Sequence, residues 1–570
     1  MRRAPGFAVV VVVLAALLAG ACAASSPDSG SDAGPDLRDA APEAAADVAP
    51  ADGDPDLPAD TAHPKTPGVE PPPPPPDHLG FEPPAREPVG DPPTAAEITA
   101  FTATLLHFFE QTAFYDWTFR LTHGLDASFD PGAMDYRLWW QDTGMRRDGD
   151  VLTLDHHGRA ENILKRTVKV LDGAAAGHLL TGDARMGQVA AHLMRGVVAL
   201  SLGFEVTGED PPVKYLQARA VFNHDHAYQV DGRKVAVLYS PMFVPSSKWN
   251  VHVFEVDNPA YGDVWVANMR SKDDVPYLYH ALGLATRVYH EAADPDLRRS
   301  AGLFLEYVRG FAQSIEDHDW HILTRYADGA ATPQVDTTKP GNPPADLGSF
   351  VHWRDLFGPD VECTAQLGAA LTGYGWRADR GDCGGGLIGL AFERSAGAGN
   401  WFNYNIYNYF HLGALSAATL WHDTDLARSL MTGLVTRFDE LLWDPDLPNA
   451  DHEEFASDKA GWLLAAAAEG YPLTAREARH VMTWYATAAD WYGSWPHWDP
   501  WSSLADGEQL EAWDPPRSKP VTDATGATTS VPQVRLDEMG YVFEYCASPY
   551  RAANGVAFVD CDLVADPSRW

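Results

Sequence analysis

Apolar residues recur along this chain with helical spacing over long stretches. Val275, Leu278, Leu282, Ala285 and Tyr289 fall on one stripe, and Leu297, Ala301, Phe304, Val308 and Phe311 on another. Leu426, Leu430, Leu434, Phe438 and Leu442 make a third. Steps of three and four residues put each set on one helix face, so the pattern predicts a mainly α domain. The helices pair across short turns of one kind: Thr181-Gly182-Asp183-Ala184, Asp294-Pro295-Asp296-Leu297, Asp423-Thr424-Asp425-Leu426 and Leu473-Thr474-Ala475-Arg476. An Asp or Thr in each can accept the first free N–H groups of the following helix. Four hairpins result, at about 158–206, 273–315, 403–442 and 453–491, with further helices expected at 95–122 and 362–374.

The two helices of a pair differ in kind. The first is apolar and rich in small residues, as in His411 to Trp421 or Ala460 to Ala468. The second is amphipathic, as in Asp425 to Leu442 or Ala475 to Tyr492. An all-apolar helix is buried and an amphipathic one lies on the rim. This alternation is that of an (α/α) toroid, with an α-solenoid of stacked hairpins as the alternative. One segment breaks the period: Val235-Ala236-Val237-Leu238-Tyr239 and Val251-His252-Val253-Phe254 alternate, with Asp231-Gly232 before the first run. That predicts a small antiparallel β-sheet inserted at about 215–270.

Composition changes the picture at the N-terminus. Arg2 and Arg3 precede an apolar run from Phe7 to Leu18, which reads as a signal peptide over residues 1–22. The run is too short to span a bilayer, which takes about 20 apolar residues. Ala19-Gly20-Ala21 before Cys22 resembles a bacterial lipobox, which implies cleavage and acylation at Cys22. Residues 23–93, built from Ala, Asp, Pro, Ser and Gly with a run from Pro71 to Pro76, read as a disordered acidic tether. The expectation is an exported domain, 94–570, held by a lipid anchor at the outer membrane or cell surface. The net charge of −37, roughly a third of it in the tether, argues against nucleic acid, whose phosphates need clustered Lys and Arg.

Four further cysteines, in an exported chain and without a C-x-x-C spacing, point to disulfides. Of three possible connectivities, proximity favours Cys363–Cys383 and Cys546–Cys561. No metal site is assigned. His224 and His226 share a strand face without a third ligand and read as solvated. The stretch Asp444 to Asp451 offers the oxygen ligands of a calcium loop but lacks its central Gly, so it reads as a turn.

In a toroid the starts of the inner helices meet at one mouth, with their positive dipole ends inward. The starts here carry His156-His157-Gly158-Arg159, Arg270-Ser271-Lys272-Asp273-Asp274, Asn403-Tyr404-Asn405 and Asp451-His452-Glu453-Glu454. Capping alone accounts for an Asp or Glu at such a place, but adjacent histidines serve no cap. Nineteen Trp is a high number, and Trp491, Trp495 and Trp498 crowd one Pro- and Gly-rich loop. They are candidate stacking platforms for sugar rings, or plugs for the toroid's end.

Together these features resemble the six-hairpin (α/α)-toroid superfamily of polysaccharide lyases and glycoside hydrolases. Some lyases of that kind carry an Asn-Asn-His motif at an inner helix start with a Tyr close behind. Asn405 and Tyr409 supply the Asn and Tyr at i,i+4, while Ile406 stands in the place of the His. The resemblance implies β-elimination on a uronate-containing polysaccharide. Asn405, Arg159, Arg270 and Lys272 would neutralise the carboxylate, His156 or His157 would take the proton, and Tyr409 or Tyr404 would give one back. A glycoside hydrolase using Asp273 or Asp274 with Glu453 or Glu454 stays open. So does a glycan-binding lipoprotein without turnover.

Overall fold

The computed structural model describes residues 73–112, 138–139, 143–155, 163–202, 220–222, 226–230, 232–238, 253–258, 262–267, 275–317, 323–325, 331–333, most of 412–440, and 453–569 except 513. Contacts divide the chain into Met1–Thr61 and Ala62–Trp570, and all described residues lie in the second unit. The described residues are mainly helical, with small sheets attached.

The hairpins expected at about 158–206, 273–315 and 453–491 are present, and the one at 403–442 is helical on both sides of its turn over its described residues. α1 (Ala95–Gln111) is followed by α2 (Ile163–Thr181) with α3 (Ala184–Leu202), and by α4 (Val275–His280) and α5 (Leu282–Glu291) with α6 (Pro295–Asp317). Helical residues between 412 and 420 precede α7 (Thr424–Glu440), and α8 (Glu453–Ala468) pairs with α9 (Ala475–Gly493). The short helix α10 (Tyr541–Ala547) follows near the C-terminal end. The turn residues act as caps: Asp183 Oδ1 accepts from the Arg185 N–H at 2.7 Å, and Asp423 Oδ1 from the Leu426 N–H at 3.1 Å. Thr474 and Glu477 form a reciprocal capping box, as do Thr94 and Glu97. The first helices are buried as expected, α2 from Ile163 to Gly177 except at half-buried Arg166 and α8 from Ala460 to Ala468. But α3 is also buried over most of its length from Val189, so the contrast with the second helix does not hold in that pair.

The helices form a run of neighbours. α2 packs on α3, α4, α5 and α10; α3 packs on α6; α8 packs on α9 and α10; and α1 lies on α9. The approach of α2 to the chain before α10 is very close. A Cβ on Gly173 would stand 2.8 Å from the Gly540 Cα, so only Gly fits there.

Three features differ from the sequence reading. First, two strands that the sequence reading did not assign come before α2. β1 (Gly144–Asp148) and β2 (Val151–Asp155) are joined at Gly149, whose φ of 58° is left-handed. Second, the β insertion is not one sheet. β3 (Ala220–Phe222), β6 (Val253–Asn258) and β7 (Gly262–Ala267) form an antiparallel sheet ordered β3-β7-β6. β4 (His226–Val230) and β5 (Arg233–Leu238) join another, in which β5 runs parallel to β2. β8 (Gln509–Leu510) completes it on β1. Pairing across such sequence distance leaves no local trace, whereas the alternating Leu152 and Leu154 were there to be read.

Third, residues 79–92, assigned to the tether on composition, lie along the domain. Leu79 is buried, and Arg86 forms ion pairs with Glu477 and Asp439 above the Tyr471 ring. The Arg476 N–H donates to the Val89 carbonyl at 2.9 Å. One arginine and a few backbone carbonyls hold the strap, which is why an apolar count misses it.

Cys546 and Cys561 are disulfide-bonded, as proximity suggested. The other expected pair, Cys363 and Cys383, and the helix at 362–374 lie outside the described residues. A loop of 15 residues is worth about 3 kcal/mol in the chain-entropy account. Cys546→Ser with Cys561→Ser should therefore lower unfolding free energy by about that amount in urea titration. A cost under about 0.5 kcal/mol would mean that the tail stands without its staple.

Candidate functional site

Helix α2 carries a charged stripe inside an apolar core. Lys165, Lys169 and Asp172 sit at i, i+4 and i+7, on one face, and all three are buried. Facing them are Tyr277 and His280 of α4, one turn apart, then Glu538 in a short 3-10 turn ahead of α10, and Tyr541 and Glu544 within α10. The result is a polar seam running through the centre of the helices.

At one end of the seam the first two turns of α2 and α8 meet the first turn of α4. The Lys165 and Lys169 ammonium groups lie 5.2 and 5.0 Å from the Tyr277 ring centre. Lys169 is ion-paired with Glu538. Asp458, on the second turn of α8, takes Arg517 at 2.7 Å and lies 3.8 Å from Arg535. Burial opposes the charge of Arg535, but Asp458, Glu538 and Asp537 together hold its pKa well above the ordinary value. Thus α2, α4 and α8 converge on residues 535–538. The charges there offset one another, which is what makes their burial tolerable.

Further along, His280 is bracketed by two carboxylates. Its Nδ1 is 3.3 Å from Asp172 Oδ2, and its Nε2 is 3.3 Å from Glu544 Oε1. The Tyr541 ring stands edge-on to the imidazole at 6.0 Å. Burial would depress the His280 pKa, but Glu544 and Asp172 outweigh it and raise it well above normal. Burial pushes Asp172 up to about 7 against the pull of His280. Glu469, just past the end of α8, is likewise pushed up to about 7 by burial, with Glu544 adding to the effect.

Glu469 and Glu544 line a cleft of about 420 Å³, including the open space at its mouth. Arg287, Ser416, Tyr550 and Pro75, the last just ahead of the strap, also line it. This cleft adjoins the C-terminal end of α8, opposite the helix starts on which the sequence reading focused.

Of the expected site residues, His156, His157, Arg159, Arg270, Lys272, Asp273, Asp274, Tyr404, Asn405 and Tyr409 lie outside the described residues, as does Cys22. The chain enters α2 four residues after Arg159 and enters α4 directly after Asp274. Trp498 is a core residue, its Nε1 donating to the Tyr492 carbonyl at 2.6 Å, so it is no stacking platform. Trp501 is buried too, under the Arg233 guanidinium. Trp491 and Trp495 are half-buried with ring centres 6.2 Å apart, and Trp491 Nε1 donates to the Pro516 carbonyl. The seam itself went unread. Its one sequence signal was Lys165, Lys169 and Asp172 on one face of an otherwise apolar helix.

No known protein family, curated protein or solved structure matches the chain. No helix among the described residues is long and apolar enough to cross a membrane.

Proposed function

We propose that this chain is an exported, lipid-anchored carbohydrate-active enzyme that cleaves a uronate-containing polysaccharide by β-elimination. The domain would be an (α/α) toroid of helical hairpins. A succession of contacts supports that architecture: α10 on α2, α2 on α4 and α5, α5 on the helical residues at 412–420 through Gly283 and Ser416, Ser416 bonded to Glu469, and α8 back on α10.

One observation carries the functional reading, namely the convergence of the second turns of α2 and α8 and the first turn of α4 around Arg535 to Glu538. The stretches leading into those helices hold His156, His157, Arg159, Arg270, Lys272, Asp273 and Asp274. Such a mouth suits an anionic sugar inside an acidic domain. Asn405 and the basic residues would neutralise the uronate, His156 or His157 would remove the C5 proton, and Tyr409 or Tyr404 would protonate the leaving oxygen. Trp491 and Trp495 would stack on neighbouring rings. The partners are then a polysaccharide and, through Cys22, a membrane, with no role for nucleic acid.

The test is turnover of alginate, pectate and a glycosaminoglycan by the purified chain, followed in the ultraviolet. Unsaturated, absorbing product ends are expected. New reducing ends without that absorbance would place the chemistry with Asp273 or Asp274 and Glu453 or Glu454 as a hydrolase. Binding without turnover on any of them would leave a glycan-binding lipoprotein.

A further inference from the structure

We propose that Asp172, His280 and Glu544 form a buried site for a first-row divalent cation of the zinc or manganese class, reached through the cleft beside Glu469. The site is independent of the glycan reading and lies away from the helix starts on which that reading rests.

The donor geometry comes first. One ligand atom from each of the three side chains lies within 4.8 Å of the others. A cation with bonds of about 2.0–2.2 Å brings ligand atoms to about 3.3–4.4 Å of one another, so small side-chain rotations suffice. Both imidazole contacts measure 3.3 Å, longer than the roughly 2.7–2.9 Å of a tight charge-assisted hydrogen bond and close to a ligand–ligand edge.

The second observation concerns what these groups leave unmet. Asp172 Oδ1 and Glu544 Oε2 are buried atoms with no hydrogen-bond partner among the described residues. Asp172 is fully buried and Glu544 is 4% exposed. A carboxylate oxygen in the core without a donor is costly, and a cation would satisfy it. Charge points the same way. Asp172, Glu544 and Glu469 place three carboxyl groups around a single imidazole, while Lys169 is engaged by Glu538.

The roles divide by position. Asp172 faces Nδ1 and would orient the ring, as carboxylates beside metal-bound histidines do. That leaves Nε2 and Glu544 to hold the ion directly, with Glu469 and solvent entering from the cleft available to complete the shell. A mixed imidazole and carboxylate set suits zinc or manganese, whereas calcium takes oxygen ligands alone. Glu544 and Glu469 both border the cleft, which supplies the entry path that a buried site needs. The ion would tie together α2, α4 and α10, three elements remote in sequence.

The test uses the full-length chain without an affinity tag, solubilised in detergent, stripped with EDTA and titrated with Zn²⁺ or Mn²⁺. One equivalent should bind, and the thermal midpoint should rise with metal concentration, as for any ligand of the native state alone. His280→Gln and Glu544→Gln should each weaken binding more than tenfold, and Asp172→Asn about 10–100-fold. His497→Gln, on the half-buried Trp loop, should leave it unchanged. X-ray absorption of the zinc-loaded wild type, which needs no variant to fold, should show one imidazole with carboxylate oxygens. Absence of stoichiometric binding, an imidazole-free shell, or unaltered affinity in folded His280→Gln would overturn the site.

Discussion

Asn405→Ala and His157→Ala are each expected to lower the rate on a uronate polymer by about 10²–10⁴, the loss that follows removal of a general base or an equally committed group. Their stability should change little, because a lost helix cap costs only about 0.5–2 kcal/mol. The double variant should be hardly worse than the poorer single, since residues acting on one transition state are not additive. Initial rates of unsaturated-product formation, set beside urea midpoints for the same proteins, separate the two roles. Two active singles that merely unfold earlier would reduce both residues to caps and remove the mouth as the active site.

Lys169→Met should cost about 3–5 kcal/mol of unfolding free energy, the penalty for stranding one member of a buried ion pair. Lys169 is fully buried and Glu538 is 3% exposed, so water cannot take the missing partner's place. Glu538→Leu alone should be comparably harmful, because it strands the ammonium over the Tyr277 ring. The double change, Lys169→Met with Glu538→Leu, should recover most of the loss, since an apolar pair of similar volume has no charge to solvate. Urea titration of all four proteins gives the coupling energy directly. Singles that cost under about 1 kcal/mol would show that the pair is solvated in solution, and the dry seam would be wrong with it.

Legibility in the sequence followed the range of the interaction. Helix pairs, their capping Asp and Thr residues, and the apolar character of the buried member were all readable, because each depends on contacts within a few residues. So was the Cys546–Cys561 pair, close in sequence and confirmed in space. The Trp cluster was legible as a cluster but not in its orientation. Trp498 turns inward to the Tyr492 carbonyl while Trp491 and Trp495 stay half-buried.

The sequence by itself determined that this is a mainly helical, acidic chain with paired helices, since hydrophobic period and capping chemistry are local properties. The expectation of export likewise rests on the sequence of residues 1–22 alone. Only the tertiary structure decided where the charges go. Lys165, Lys169 and Asp172 look like an outward face on a helical wheel, yet they point into the core because Tyr277, His280, Glu538 and Glu544 are there to receive them. The partners come from positions over 100 residues away or more than 350, and desolvation of a charge is tolerable only when such partners arrive together. For the same reason the strap at 79–92 escaped composition: Arg86 and Glu477 matter as a pair, and neither announces the other.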